Sequence, residues 1–140
     1  MPSRRRLARV SAMQAVFETL ARGGDDALSP LKRDIAELGG AKAVDDAFSA
    51  KLVKGVQEKM EEIQAAVAVH APQWPWERMD SITRCILLIG AYELLFCQDV
   101  PPAVVMNEAI EVAKEYGTAE SAKFVNGVLN ALAHQGGKPA

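Results

Sequence analysis

The stretch "CILLIGAYELLFC", residues 85–97, is the most apolar part of this 140-residue chain, and its reading decides the fold. Glu93 interrupts it, and it is well short of the roughly 20 apolar residues that a membrane-spanning helix needs. A segment apolar nearly all round, yet too short to span, is a central helix of a globular core. Its range extends to about Met79–Gln98. As a helix it separates Cys85 from Cys97 by about 18 Å, against a limit of roughly 7 Å between bridged Cα atoms. No disulfide joins them within the chain. Two buried thiols and no cysteine framework fit a reducing cytosol, so a cytoplasmic location is expected.

Working outward from that helix, apolar residues recur at helical spacing and no stretch alternates with period two over a strand's length, so the chain is expected to be all-α. A first helix runs from about Ser3 to Arg22, with Val10, Met13, Phe17 and Leu20 on one face, and stops at Gly23-Gly24. Ser29-Pro30 reads as the start of a short second helix carrying Leu31, Ile35 and Leu38. A third, long helix keeps Val44, Phe48, Leu52, Val56, Met60, Ile63 and Val67 in one stripe from about Ala43 to His70. "PQWPWE", residues 72–77, cannot be regular helix through both prolines, and its two tryptophans are expected to plug a corner between two halves. Past the central helix, Pro101-Pro102 opens a helix ending at Tyr116, and Thr118 caps a last one to about His134. No internal repeat or low-complexity segment appears.

Composition excludes several classes of function. With 49% hydrophobic and 24% charged residues the chain has enough apolar material for a core and is not disordered. The region behind the basic N-terminus is interrupted by Gln14 and Glu18, so it does not read as a secretory signal. His70 and His134 are the only histidines and stand apart from both cysteines, so no metal-binding spacing exists. The glycine pairs end helices; none belongs to a phosphate-cradling loop. No Ser, His and acid arrangement can be argued, and a binding protein without cofactor or metal is expected.

Charge supplies the positive signal. "RRRLAR", residues 4–9, holds Arg4, Arg5, Arg6 and Arg9, and no acidic residue occurs before Glu18. A cation at a helix N-terminus costs about 0.3 to 1 kcal/mol against the helix dipole. An anion reverses that sign, because phosphates meet guanidinium forks, backbone N–H groups and the dipole together. Arg5 and Arg9, four apart, share one face. No helix has a basic face long enough to fill a major groove, so a short single-stranded segment is the better match. Four phosphate contacts predict a slope of log affinity against log salt of about −3. Glu108, Glu111 and Glu115 form an acidic stripe that repels RNA and suits a basic protein. Asn107 and Asn126 read as buried structural amides, and Gly127 as a close helix crossing.

The residues also resemble a family. "VPPAVVMNEAIEVAKEYGTAESAKFVNGVLNAL", residues 100–132, is similar to the C-terminal signature of the NusB transcription antitermination factors. "RRRLARVSAMQAVFE", 4–18, resembles their arginine-rich N-terminal helix, and "RCILLIGAYELL", 84–95, an intervening one. The resemblance implies a compact bundle of about six to seven helices in one domain, residues 1–135. Its two packed subdomains fall at about 3–72 and 77–134, with a flexible tail at 136–140. It implies binding of the boxA element of ribosomal RNA leader transcripts together with NusE, the small-subunit ribosomal protein numbered ten. That complex joins RNA polymerase and other Nus factors against premature termination, and it is not an enzyme. Carried onto this chain, RNA contacts fall on Arg4, Arg5, Arg6 and Arg9, with Glu120, Lys123 and Phe124 of "ESAKFVNG". The partner protein is expected on Phe17, Arg84, Glu108, Glu111 and Glu115, mainly on the C-terminal half. Phe17 stands where the family usually has Tyr, and Leu88 where many members have Arg. The family includes monomers and homodimers, and both stay open. Two other readings compete: the RNA-binding module of a ribosomal RNA methyltransferase, disfavoured because no cofactor-binding domain precedes Ala140, and a pure protein adaptor.

Overall fold

A computed structural model describes residues 2–72 and 74–135; the tail expected at 136–140 lies outside them. Seven α-helices account for most of these residues: α1 Arg4–Arg22, α2 Leu28–Glu37, α3 Asp46–Glu58, α4 Met60–Val69, α5 Ser81–Phe96, α6 Pro102–Tyr116 and α7 Ala119–Gln135. Short 3-10 turns occupy Gly40–Lys42 and Trp76–Arg78, and no strand occurs among the described residues. The chain is all-α, as the periodicity requires.

Local chemistry sets most of the boundaries. The Ser3 hydroxyl accepts the Arg6 N–H at 3.0 Å and starts α1, and Gly23, at φ 80°, turns the chain out of it. Asp80 caps α5 by accepting from the Thr83 N–H at 2.9 Å and the Thr83 hydroxyl at 2.8 Å. At α7, Thr118 Oγ1 accepts the Ser121 N–H at 3.0 Å while Ser121 Oγ accepts the Thr118 N–H at 2.9 Å, a reciprocal cap. Two boundaries differ from the expectation. α2 begins at Leu28, ahead of Ser29-Pro30, because the Asp26 carboxylate accepts the Ser29 N–H at 3.2 Å and takes over the capping role. The long third helix is interrupted at Lys59, giving α3 and α4. The apolar stripe runs unbroken across that residue, so periodicity does not reveal the break.

The chain separates into two units, residues 1–58 and 59–140. The boundary follows α3, whereas the sequence placed it at the tryptophan corner. In the first unit α1 packs on α2 and α3, with Val10, Met13, Leu31 and Leu52 buried. The buried Ser11 and Ser49 hydroxyls lie 2.8 Å apart, and the Ala8 carbonyl oxygen stands within accepting distance of both, 3.0 Å from Ser11 Oγ and 2.9 Å from Ser49 Oγ. Phe17 and Leu20, expected on the buried stripe with Val10 and Met13, are instead 39% and 46% exposed. Glu18, between them, pairs with Arg22 of its own helix and with Arg33 of α2.

The second unit is built around α5, which packs on α4, α6 and α7 and is buried from Cys85 through Leu94. Leu88 is fully buried, so an apolar residue at this position is a core residue. Glu93 is buried as well, at 1% exposed. Burial pushes the Cys85 thiol up to about 12, which makes it an unreactive core group. The close crossing lies at Gly90 on α5, where an added Cβ would stand 2.8 Å from Leu129 Cδ1 of α7. Gly127 faces open space, and Asn107 and Asn126 are exposed, correcting the expectation of a crossing and two buried amides.

Candidate nucleic-acid interface

Two surfaces collect the residues singled out in the sequence, one in each unit. The first is the basic start of α1. No acidic residue lies in its first turn, so the helix dipole and four arginines act in the same unfavourable sense. The segment entering α3 relieves part of this. Arg4 donates through one guanidinium nitrogen to the Ala41 carbonyl at 2.9 Å and the Val44 carbonyl at 3.2 Å, and its own carbonyl accepts the Asp45 N–H at 3.1 Å. Arg5 Nε lies 3.3 Å from Asp45 Oδ2, and its guanidinium carbon stands 3.8 Å above the centre of the Phe48 ring. The Arg9 guanidinium approaches the same ring at 5.1 Å.

These contacts assign different states to the four cations. Arg9 is buried, 6% exposed. Arg4 and Arg5 are exposed and Arg6 half-buried. Arg4's two carbonyl acceptors are neutral, so those bonds orient its charge without cancelling it. The Arg5 side chain remains 47% exposed, so its pair with Asp45 is a screened surface contact of small energy. Asp45 holds α3 as well as Arg5: its carboxylate accepts the Phe48 N–H at 3.1 Å. That backbone bond first, and the Arg5 guanidinium after it, hold the Asp45 carboxyl below its ordinary value of 3.8. Residues 41–48 therefore form a ledge that fixes the direction of the basic helix end. The sequence reading missed it; Asp45 three residues ahead of Phe48 was the available capping signal.

The second surface is an open cavity of about 440 Å³ at the start of α7, lined by Trp74, Arg78, Thr83, Glu120, Lys123 and Phe124 among others. Lys123 and Glu120 are exposed, and Phe124 is half-buried. Trp74 lies with its ring centre 6.2 Å from that of Phe124 at an interplanar angle of 66°. Trp74 is 53% exposed and Trp76 half-buried, so neither is the buried corner plug expected from the sequence, and both belong to the second unit. Among the described residues no group of three or more His, Cys, Asp or Glu could hold a metal ion.

The residues expected to meet a protein partner are spread over both units. Phe17 is exposed on α1 beside Leu20. Arg84, on α5, is half-buried; one of its guanidinium nitrogens donates to Ser81 Oγ at 3.3 Å. On α6, Glu111 pairs with Lys114 at 3.5 Å, Glu115 is exposed and Glu108 is half-buried, so the acidic stripe is partly neutralised by its own helix.

An all-helical chain whose conspicuous side chains are exposed cations and aromatics, with its thiols buried in the core, is a binding protein in class. The chain belongs to the NusB family, whose sequence pattern matches residues 6–134. It is 40% identical over 127 residues to the transcription antitermination protein NusB of Bacillus licheniformis, covering 91% of this chain and 94% of that protein. Against NusB of Geobacter sulfurreducens the identity is 40% over 130 residues, covering 92% and 93% of the two chains. Among solved structures, T. maritima NusB superposes with a TM-score of 0.85 at 33% identity over 99% of this chain and 96% of that one. A chain from a crystal structure of the antitermination factors NusB and NusE in complex with dsRNA gives 0.80 at 26% identity, over 92% and 95%. No described helix is long and apolar enough to cross a membrane.

Proposed function

We propose that this chain is a transcription antitermination factor that binds boxA RNA of ribosomal RNA leader transcripts together with NusE. With other Nus factors it keeps RNA polymerase from terminating early. It acts in the cytoplasm by binding and catalyses no reaction. The observation that carries this reading is the start of α1, where Arg4 and Arg5 are exposed and set in direction by residues 41–48. Cations fixed at a helix N-terminus, among N–H groups and the positive end of the dipole, are complementary to phosphate oxygens. Arg4, Arg5 and Arg6 are the phosphate contacts. Arg9 is a positioning residue, held against Phe48 in the first unit. Lys123, Glu120 and Phe124 supply the RNA contacts of the second unit, where a basic and an aromatic side chain border one cavity.

The partner protein takes the exposed Phe17 and Leu20 pair on α1, Arg84 on α5, and the acidic stripe of α6. Similarity to a NusB chain crystallised with NusE and dsRNA supports both halves of the reading. The test is titration of labelled single-stranded boxA RNA at low salt, with and without NusE. Weak binding by the chain alone and tighter binding with NusE is the expected result. No binding in either case refutes it.

A further inference from the structure

We infer that the groove between α2 and α3 is a docking surface for an acidic amphipathic helix of a partner protein. It lies in the first unit and uses residues that neither RNA nor NusE binding takes. Leu28, Leu31 and Ile35 of α2 recur at i, i+3 and i+7 and so share one face, with Ala47 and Ala50 of α3 across an open cavity of about 530 Å³. Side-chain size on α3 creates this space. Its large residues, Phe48, Leu52, Val53 and Val56, are buried, and the part of α3 that lines the groove carries alanines. Leu28 and Ile35 are half-buried and Ala47 is exposed, so apolar surface is left open along the groove. At the end of α3, Gln57 Nε2 donates to the Asp25 carbonyl, just ahead of α2, at 2.8 Å, so the two helices run antiparallel. The 10 residues of α2 give the groove a length of about 15 Å, or between two and three helical turns.

Charge and side-chain type identify the occupant. Lys32 and Lys54 line the groove, both exposed, and neither has a salt bridge to a described residue. The one acid among the lining residues, Asp46, lies in the first turn of α3, where the positive end of that helix's dipole already stabilises its charge. Two unspent ammonium groups beside aliphatic surface are complementary to carboxylates set beside a stripe of aliphatic side chains. None of the described lining residues is aromatic, whereas an unpaired nucleobase is held by stacking on rings. The groove therefore suits a helix laid along it, with large aliphatic residues at i, i+3 or i+4 and i+7 entering between α2 and α3 and Asp or Glu meeting the two lysines. A contact of this length with two charges at its rim belongs to the weak, transient class of interface.

The test uses the full chain with labelled alanine, leucine and isoleucine methyl groups, and a synthetic helical peptide with leucines at i, i+3 and i+7 and glutamates beside them. Adding the peptide is expected to shift the methyl signals of Leu28, Ile35, Ala47 and Ala50 saturably and to leave Leu129 of α7 unmoved. A peptide with serine in place of leucine should give no saturable shift. Lys32→Glu combined with Lys54→Glu, two exposed positions, should weaken binding of the glutamate peptide about tenfold at low salt with helical content unchanged. The same double variant should bind a peptide carrying lysines for the glutamates more tightly than the wild type does. No shift of the groove methyls up to millimolar peptide overturns the proposal, and so does equal affinity of the wild type for the glutamate and lysine peptides. If single-stranded boxA RNA alone shifts the same methyls, the groove is a nucleic-acid surface; if raising the concentration of the chain alone does so, it is a contact between copies. Either result also overturns the proposal.

Discussion

At the scale of single residues, two glycines in the second unit have opposite environments. A Cβ on Gly90 would collide with the buried Leu129 side chain, whereas one on Gly127 would meet nothing within 4 Å. Gly127→Ala is therefore expected to stabilise the fold by about 0.5–1 kcal/mol, and Gly90→Ala to destabilise it by about 1–3 kcal/mol, both read from urea denaturation. The reverse order would refute the assigned crossing. The sequence could not rank them, because a glycine inside a helix signals a crossing without saying which neighbour crosses. Asp45 carries a pH prediction. Its folded-state carboxyl titrates below the ordinary value of 3.8, so its contribution is complete above that value and is lost as pH falls through the lower, folded one. Asp45→Asn keeps a cap acceptor and loses the charge, so the variant should show a shallower loss of stability on acidification than the wild type. Identical acid profiles would remove Asp45 from the account.

Among elements, the helices were legible because each buries a stripe, and a stripe at a spacing of three and four residues leaves a plain pattern. What the pattern lacks is any record of caps supplied from outside the helix, as Asp26 supplies for α2, or of a break that leaves the stripe intact, as at Lys59. Asp80 illustrates a cap that can be tested: Asp80→Ala removes the acceptor for both Thr83 donors at the start of the central helix and should cost about 1–2 kcal/mol in chemical denaturation. No change would mean that packing alone holds that end. The arginine helix also divides on inspection. Spacing placed Arg5 and Arg9 on one face but could not rank the four cations by exposure, since exposure is a property of packing, and only the fold shows Arg9 buried and Arg4 exposed. Arg9→Ala should cost about 1–3 kcal/mol of stability and Arg4→Ala less than about 1 kcal/mol, compared by thermal unfolding. Equal effects would contradict the division.

For the whole molecule, the family and its all-helical architecture were readable from motifs that span most of the chain, "RRRLAR" at one end and "KFVNGVLN" at the other. The ledge at 41–48 and the Trp74 cavity were not, because each depends on residues distant in sequence or on exposure that hydropathy reports wrongly. An exposed tryptophan next to prolines looks the same on paper as a buried one. On the proposed reading both surfaces answer to one physical demand, that a chain of slightly negative net charge, −2, present local positive charge to a polyanion. The measurement closest to this claim is the affinity for single-stranded boxA RNA across a salt series, for the wild type and for the Arg4→Ala, Arg5→Ala, Arg6→Ala triple variant. The account predicts weaker binding by the variant, a slope shallower by about 2, and unchanged helical content. Matching slopes and affinities for the two proteins would contradict it.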